Sequence, residues 1–264
     1  MTRLPYRLVL PFVWVSFLMS WLLWLPKLIS QAQGQPDPYP YLHFVGSLGP
    51  AVGALLVCAL MDRGRFRQLL GDLWQVKVHV RWWLLALSPL LMMLVAMLLS
   101  PSSQWSQFLR VNEYPGLPFA LLLVCEVFFY GYGEEVGWRG FLYPLFKERF
   151  TPFWASMAVL PFWAVWHLPL LLTSATYQSM GPLLFGWLIS LTTGALLTSW
   201  MYDRTNRSLP VLAVFHGVLD VAMVNAGVTP LALNLMGAVT TLLGIWAGVA
   251  LWKDRRSVPE GQKN

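Results

Sequence analysis

Charge is what this 264-residue chain has least of: Asp, Glu, Lys and Arg make up 11% of it, where a soluble domain carries roughly a quarter. A soluble globular domain is therefore excluded. The apolar runs are long and do not alternate, so a membrane β-barrel is excluded as well. Cysteine is scarce. Cys58 and Cys125 each sit inside an apolar run, no CxxC occurs, and no disulfide framework is implied. There is no HExxH zinc signature. No internal repeat supports a transporter built from inverted halves. The net charge of +6 does not point to nucleic acid, because the basic residues lie in the loops between apolar runs rather than on one binding face.

What the chain has is hydrocarbon: 57% of it is hydrophobic. The apolar runs are each near the roughly 20 residues that a helix needs to cross a bilayer. The fold class is all-α, a polytopic transmembrane helical bundle in a single membrane-embedded domain over residues 1–264. Eight spans are expected, at 8–28, 42–61, 82–99, 117–145, 152–172, 181–202, 208–228 and 231–252. Proline sets several boundaries, in Gln35–Pro40, Pro101, Tyr114-Pro115, Thr151-Pro152 and Thr229-Pro230. The fourth span is longer than a bilayer needs, so it tilts or breaks where glycines cluster between Gly131 and Gly140.

Basic residues orient the bundle. With the N-terminus cytoplasmic, 16 of the 18 lysines and arginines fall on the cytoplasmic side, and only Lys27 and Arg110 fall outside. Both termini are then cytoplasmic, in a multi-pass protein of the cell membrane. Arg3, Arg7 and the first apolar run resemble a signal peptide, but the run exceeds the usual core of about 7–15 residues, so a retained helix is expected. In the loop 62–81, Phe66, Leu69, Leu70, Leu73 and Trp74 recur at helical spacing between basic residues. This looks like an amphipathic helix lying on the inner leaflet, and a simple basic anchor is the blander reading, which is favoured.

Against this background Glu134-Glu135-Val-Gly-Trp-Arg139 stands out. An ionisable group at membrane depth costs at least a few kcal/mol, so by default it marks function. Glu135 and Arg139 are four apart and share a helix face, so they pair. Glu134 points about 100° away and is left for another partner and for base work. Trp163 and His167 are four apart on the next span, and His216 and Asp220 are four apart further on. An acid that orients an imidazole recurs in catalytic and metal sites, and also as a self-satisfied pair between helices. At about 1.5 Å per residue, Glu134, His167 and His216 lie about 16, 22 and 12 Å from the cytoplasmic ends of their spans. One shared, cytoplasm-facing site is expected.

The order EExxxR, aromatic-xxx-His and HxxxD resembles the CAAX-protease and bacteriocin-processing family, CPBP or Abi. Gly49-Pro-Ala51 and Arg65-Phe-Arg67-Gln-Leu-Leu70 are also similar to it. The motif-bearing core is 117–228. The resemblance implies that Glu134 and His167 activate a water, and that His216 and Asp220 stabilise the oxyanion. Glu135, Arg139 and Trp163 would support them. Two positions depart from the family. Trp163 stands where Phe is usual, which is expected to alter packing only. Asp220 stands where the eukaryotic-type prenyl proteases carry Asn, and an ionised Asp cannot donate a hydrogen bond. The family is often labelled metalloprotease, and His167, His216 and Glu134 would make a sensible zinc set. The sequence leaves zinc and metal-free catalysis both open.

The leading expectation is an intramembrane endopeptidase acting on a membrane-anchored or hydrophobic substrate, with CAAX-type prenylated substrates the best-known case in the family. Two other readings stand beside it. One is a non-catalytic scaffold or bacteriocin immunity protein on the same fold, and the other is a proton-coupled transporter using Glu and His as a relay.

Overall fold

A computed structural model describes residues 6–111, 114, 116–173 and 184–254 of the chain. We number the helices α1 (Tyr6–Ala32), α2 (Leu42–Met61), α3 (Arg63–Leu73), α4 (Val80–Leu98), α5 (119–147), α6 (Pro152–Trp166, continued by Leu168–Thr173), α7 (Leu184–Arg204), α8 (Leu209–Met223) and α9 (Pro230–Lys253). Among the described residues every regular element is helical, apart from one isolated bridge between Val111 and Asn225. The eight expected spans are all present as helices within a few residues. The start of the sixth, 181–183, lies outside the described residues.

α1, α2, α4, α7 and α9 are each long and apolar enough to cross a membrane, and the chain is an integral membrane protein. α1 shows how such a helix divides its faces. Leu10, Trp14, Leu18 and Leu22 follow one another at every fourth position and are 55–70% exposed. Phe12, Ser16, Ser20 and Trp24 run down the opposite face and are buried. In lipid there is no hydrophobic force to join two helices, so small residues and close packing do it. Gly49 and Gly53 of α2 sit directly against Ser20 and Ser16, where a Cβ would collide with them. Ser20 Oγ donates to the Gly46 carbonyl at 2.7 Å and accepts from Trp166 Nε1 at 2.8 Å. This fastens α1, α2 and α6 at one level, beside His167.

α5 is the axis of the bundle. Trp138, Arg139, Leu142, Tyr143 and Leu145 are all fully buried on it. The glycine cluster does not break this helix. It lets neighbours touch the backbone: a Cβ at Gly131 would enter the Ala213 carbonyl of α8, and one at Gly137 would enter Pro50 of α2. The helix also widens twice. Glu126–Tyr132 and Val136–Leu142 are π-helical, closing i→i+5 hydrogen bonds, and only Gly133–Glu135 between them is α-helical. Single π-turns are uncommon and concentrate at functional sites. Here two of them bracket Glu134 and Glu135.

α6 is not the unbroken span that the sequence suggests. It stops at Trp166 and resumes at Leu168. Pro169 has no N–H to give to the preceding turn, which favours a break there. His167 stands at the joint.

α3 packs one face on the bundle. Its Leu69 is 2% exposed, and Phe66 and Leu73 pack on the main core, while Leu70 and Trp74 point outward. Asp72 is buried and accepts from Tyr202 Oη at 2.8 Å and from Arg207 Nη2 at 2.8 Å. Burial raises the Asp72 carboxyl above its ordinary value, against the lowering pull of Tyr202 and Arg207. The sequence missed this docking because the acid that fastens α3 belongs to its own polar face, which period alone assigns to water. At the same end of the bundle, Arg65 pairs with Glu148, and Lys147 Nζ pairs with Asp203 Oδ1 at 2.7 Å. The basic loop residues therefore gather at one end.

Candidate functional site

Three helices bring the motif residues together: α5 with Glu134, Glu135 and Arg139, the α6 joint with Trp163 and His167, and α8 with His216 and Asp220. Gly217 permits the α5–α8 approach, since a Cβ there would fall 2.5 Å from the backbone nitrogen of Val127.

Trp163 is the hub. Its Nε1 donates to Glu134 Oε2 at 2.5 Å. Its ring carries the Arg139 guanidinium, whose Cζ lies 4.2 Å from the ring centroid. The rings of His167 and His216 are 6.0 and 6.1 Å from it, centre to centre. The two imidazoles are thus no more than about 12 Å apart, within reach of groups bound around one peptide bond. The sequence assigns Trp163 a packing difference alone. The structure adds a hydrogen bond that phenylalanine has no atom to make, and the indole N–H was the available signal.

Glu135 serves two partners. Its Oε1 accepts from Arg139 Nη1 at 3.2 Å, the expected i,i+4 pair, and meets His216 Nδ1 at 2.7 Å. Glu135 and Arg139 are both 0% exposed. Glu135 Oε2 and Arg139 Nε and Nη2 are buried with no hydrogen-bond partner among the described residues, so this pair is held by one short contact on each side and by the Trp163 ring under the guanidinium, a costly arrangement for buried charge. The link to His216 was missed in the sequence, because it depends on how α5 crosses α8 and not on spacing.

The two histidines differ in what they present. His167 Nδ1 lies 2.7 Å from the Trp163 carbonyl. A carbonyl only accepts, so Nδ1 carries the hydrogen and Nε2 keeps a lone pair. His216 faces Glu135 through Nδ1 and Asp220 Oδ2 through Nε2, at 2.7 and 3.4 Å. Asp220 is the most open member, with its side chain 38% exposed.

This donor set does not fit the zinc site that the family label suggests. A zinc-ligating imidazole must offer a lone pair, and both nitrogens of His216 are turned to carboxylates. Among the described residues no three His, Cys, Asp or Glu side chains are placed to share an ion.

Residues 116–222 match the family model of the Rce1-like type II CAAX prenyl endopeptidases. The CAAX prenyl protease 2 of Methanococcus maripaludis is 28% identical over 105 residues, a stretch covering 38% of this chain and 37% of that protein. The likeness to that protein therefore spans little more than a third of its length, while the family-model match, residues 116–222, takes in all seven side chains of the cluster. Over that core, residues 116–222, the chain is thus similar to the Rce1-like CAAX prenyl endopeptidases, in keeping with the CPBP family that its three motifs resemble.

Proposed function

We propose that the chain is an intramembrane endopeptidase that hydrolyses a peptide bond in a membrane-associated substrate, with a water activated by Glu134 and His167. The observation that carries this reading is the Glu134 carboxylate, gripped through Oε2 by Trp163 between two imidazoles of opposite character. One, His167, offers a lone pair. The other, His216, offers hydrogens.

Glu134 Oε1 takes a proton from the water as its oxygen adds to the carbonyl carbon. His167 Nε2 accepts the second hydrogen of that water as a hydrogen bond and sets its direction. The carbonyl oxygen gains negative charge and meets the hydrogen on His216 Nε2, turned from Asp220. Glu134 then returns its proton to the departing nitrogen as the C–N bond breaks. Such placed acid–base and oxyanion groups contribute about 10²–10⁴-fold and 10²–10³-fold respectively. Glu135 holds the ring of His216, and Arg139 holds Glu135.

The related protein's name specifies CAAX prenyl substrates. A prenylated CAAX peptide is therefore the first substrate to try in proteoliposomes, followed by unprenylated membrane-anchored peptides. Release of a C-terminal fragment by the wild-type chain supports the proposal. No cleavage of either class, by protein shown to be folded, overturns it in favour of a scaffold.

Trp163→Phe separates the hydrogen bond from the packing. It keeps a ring under Arg139 and removes the donor to Glu134. Hydrogen bonds to a charged group are worth about 1.5–3 kcal/mol, so kcat should fall by about tenfold or more, with KM unchanged and the melting temperature lowered by the loss of the same bond. Unchanged kcat would show that the indole only packs.

The site is proposed to open toward the cytoplasm, with both termini on that side. Reporter fusions after residues 35, 72, 178 and 262 should read outside, inside, outside and inside. An external C-terminus would refute this orientation.

A further inference from the structure

We propose that a groove between α4, α7 and α9, away from the catalytic cluster, binds one anionic phospholipid, with its phosphate between Arg81 and Arg204 and an acyl chain along Trp82, Trp200 and Trp246. The groove holds about 540 Å³ and is lined by these five residues with Leu85 and Ala250.

Its floor is a continuous run of indoles. The Trp82 and Trp200 rings lie 5.3 Å apart, and those of Trp200 and Trp246 lie 4.7 Å apart. Trp82 is buried, but Trp246 remains 54% exposed. Tryptophan favours the level where acyl chains meet headgroups, because its body is apolar and its N–H is wet.

The rim is cationic. The Arg81 guanidinium lies over the Trp82 ring at 5.3 Å. Arg204 Nη2 lies 3.8 Å from Oδ2 of Asp254, which is outside the lining of the groove. That is too long for a good charge-assisted hydrogen bond. The adjacent carboxylate, Asp203, is already engaged by Tyr143 and Lys147. Two guanidiniums above an apolar slot match a phosphate with a hydrocarbon tail, and basic pockets between membrane helices bind such headgroups.

The position fits as well. Arg81 begins α4 and Arg204 ends α7, at the end of the bundle where Arg65, Lys147 and Arg207 also gather. A neutral lipid would satisfy the tryptophans but add no charge to the rim, where Arg204 has only the distant Asp254 carboxylate among the described residues.

Native mass spectrometry on detergent-purified full chain tests this, with phosphatidylglycerol and phosphatidylcholine of identical acyl chains as probes. Wild type should retain one phosphatidylglycerol in preference to phosphatidylcholine. The double variant Arg81→Gln, Arg204→Gln should lower retention of phosphatidylglycerol by about 30-fold, since each basic residue near a lipid surface contributes about a fivefold preference. It should leave phosphatidylcholine unchanged. Both arginines are exposed, and an unchanged melting temperature in phosphatidylcholine micelles confirms folding. If the double variant fails that control, Trp246→Ala takes its place and should weaken both lipids together. Millimolar inorganic phosphate should not displace the lipid; displacement would assign the site to a free anion. Equal retention of the two lipids by wild type, or a preference that survives the double substitution, overturns the proposal.

Discussion

Glu134→Gln is expected to abolish hydrolysis, with a fall in kcat of about 10²–10⁴-fold in protein that is still folded. The amide is the same shape as the carboxylate, and its oxygen can still accept from Trp163 Nε1, which holds the side chain at 2.5 Å in wild type. What it loses is basicity. The melting temperature in detergent should therefore match wild type while product formation disappears. His167→Gln should lose activity to a similar degree, and the double variant should be little worse than either single. Groups that act on one water act as a unit, so their losses do not add. A Glu134→Gln variant that cleaves a demonstrated substrate near the wild-type rate would remove Glu134 from the role of base.

Glu135→Gln should behave differently, because its first effect is on the fold. The substitution leaves the Arg139 guanidinium, 0% exposed, without its anionic partner. Breaking a buried pair from one side costs about 3–5 kcal/mol, a large share of the about 5–15 kcal/mol that holds an ordinary domain together. Folded yield and melting temperature should both drop. Replacing both partners with apolar residues of similar size, Glu135→Leu with Arg139→Met, should recover much of the stability, since no unpaired charge remains. It should not recover activity, because His216 would still lack the oxygen that holds Nδ1 at 2.7 Å. A Glu135→Gln single variant as stable as wild type would mean that Arg139 draws its compensation elsewhere.

The bundle was legible in the sequence because bilayer thickness and proline punctuation leave little freedom in where helices start and stop. The fourth span, expected over 117–145, is a helix over 119–147, and the last, expected over 231–252, runs Pro230–Lys253. The Glu135–Arg139 pair was legible for the same local reason, an i,i+4 spacing. What stayed hidden was non-local. Glu135 reaching His216 spans 81 residues, and Trp163 reaching Glu134 spans 29. Hydropathy carries no term for either. The docking of α3 was hidden for a related reason. Its Asp72 looks like a solvated acid until Tyr202 and Arg207, some 130 residues away, arrive beside it. The break at His167 had a visible cause in Pro169, yet a hydropathy window averages straight across it.

The two widened stretches of α5 affect how this helix tolerates changes in length. A turn closed i→i+5 stores one residue more than a turn closed i→i+4. Removing one residue from 126–132 lets the ladder close as ordinary α-helix, so the stored residue absorbs the deletion and Glu134 keeps its bearing toward Trp163. The same deletion in the α-helical stretch Phe119–Cys125 has no slack to draw on, and turns everything before it by about 100° relative to the rest. The helix is thus buffered against single-residue indels beside its acids and rigidly phased further away. Natural length variation in this helix should cluster in the two stretches that flank Gly133–Glu135.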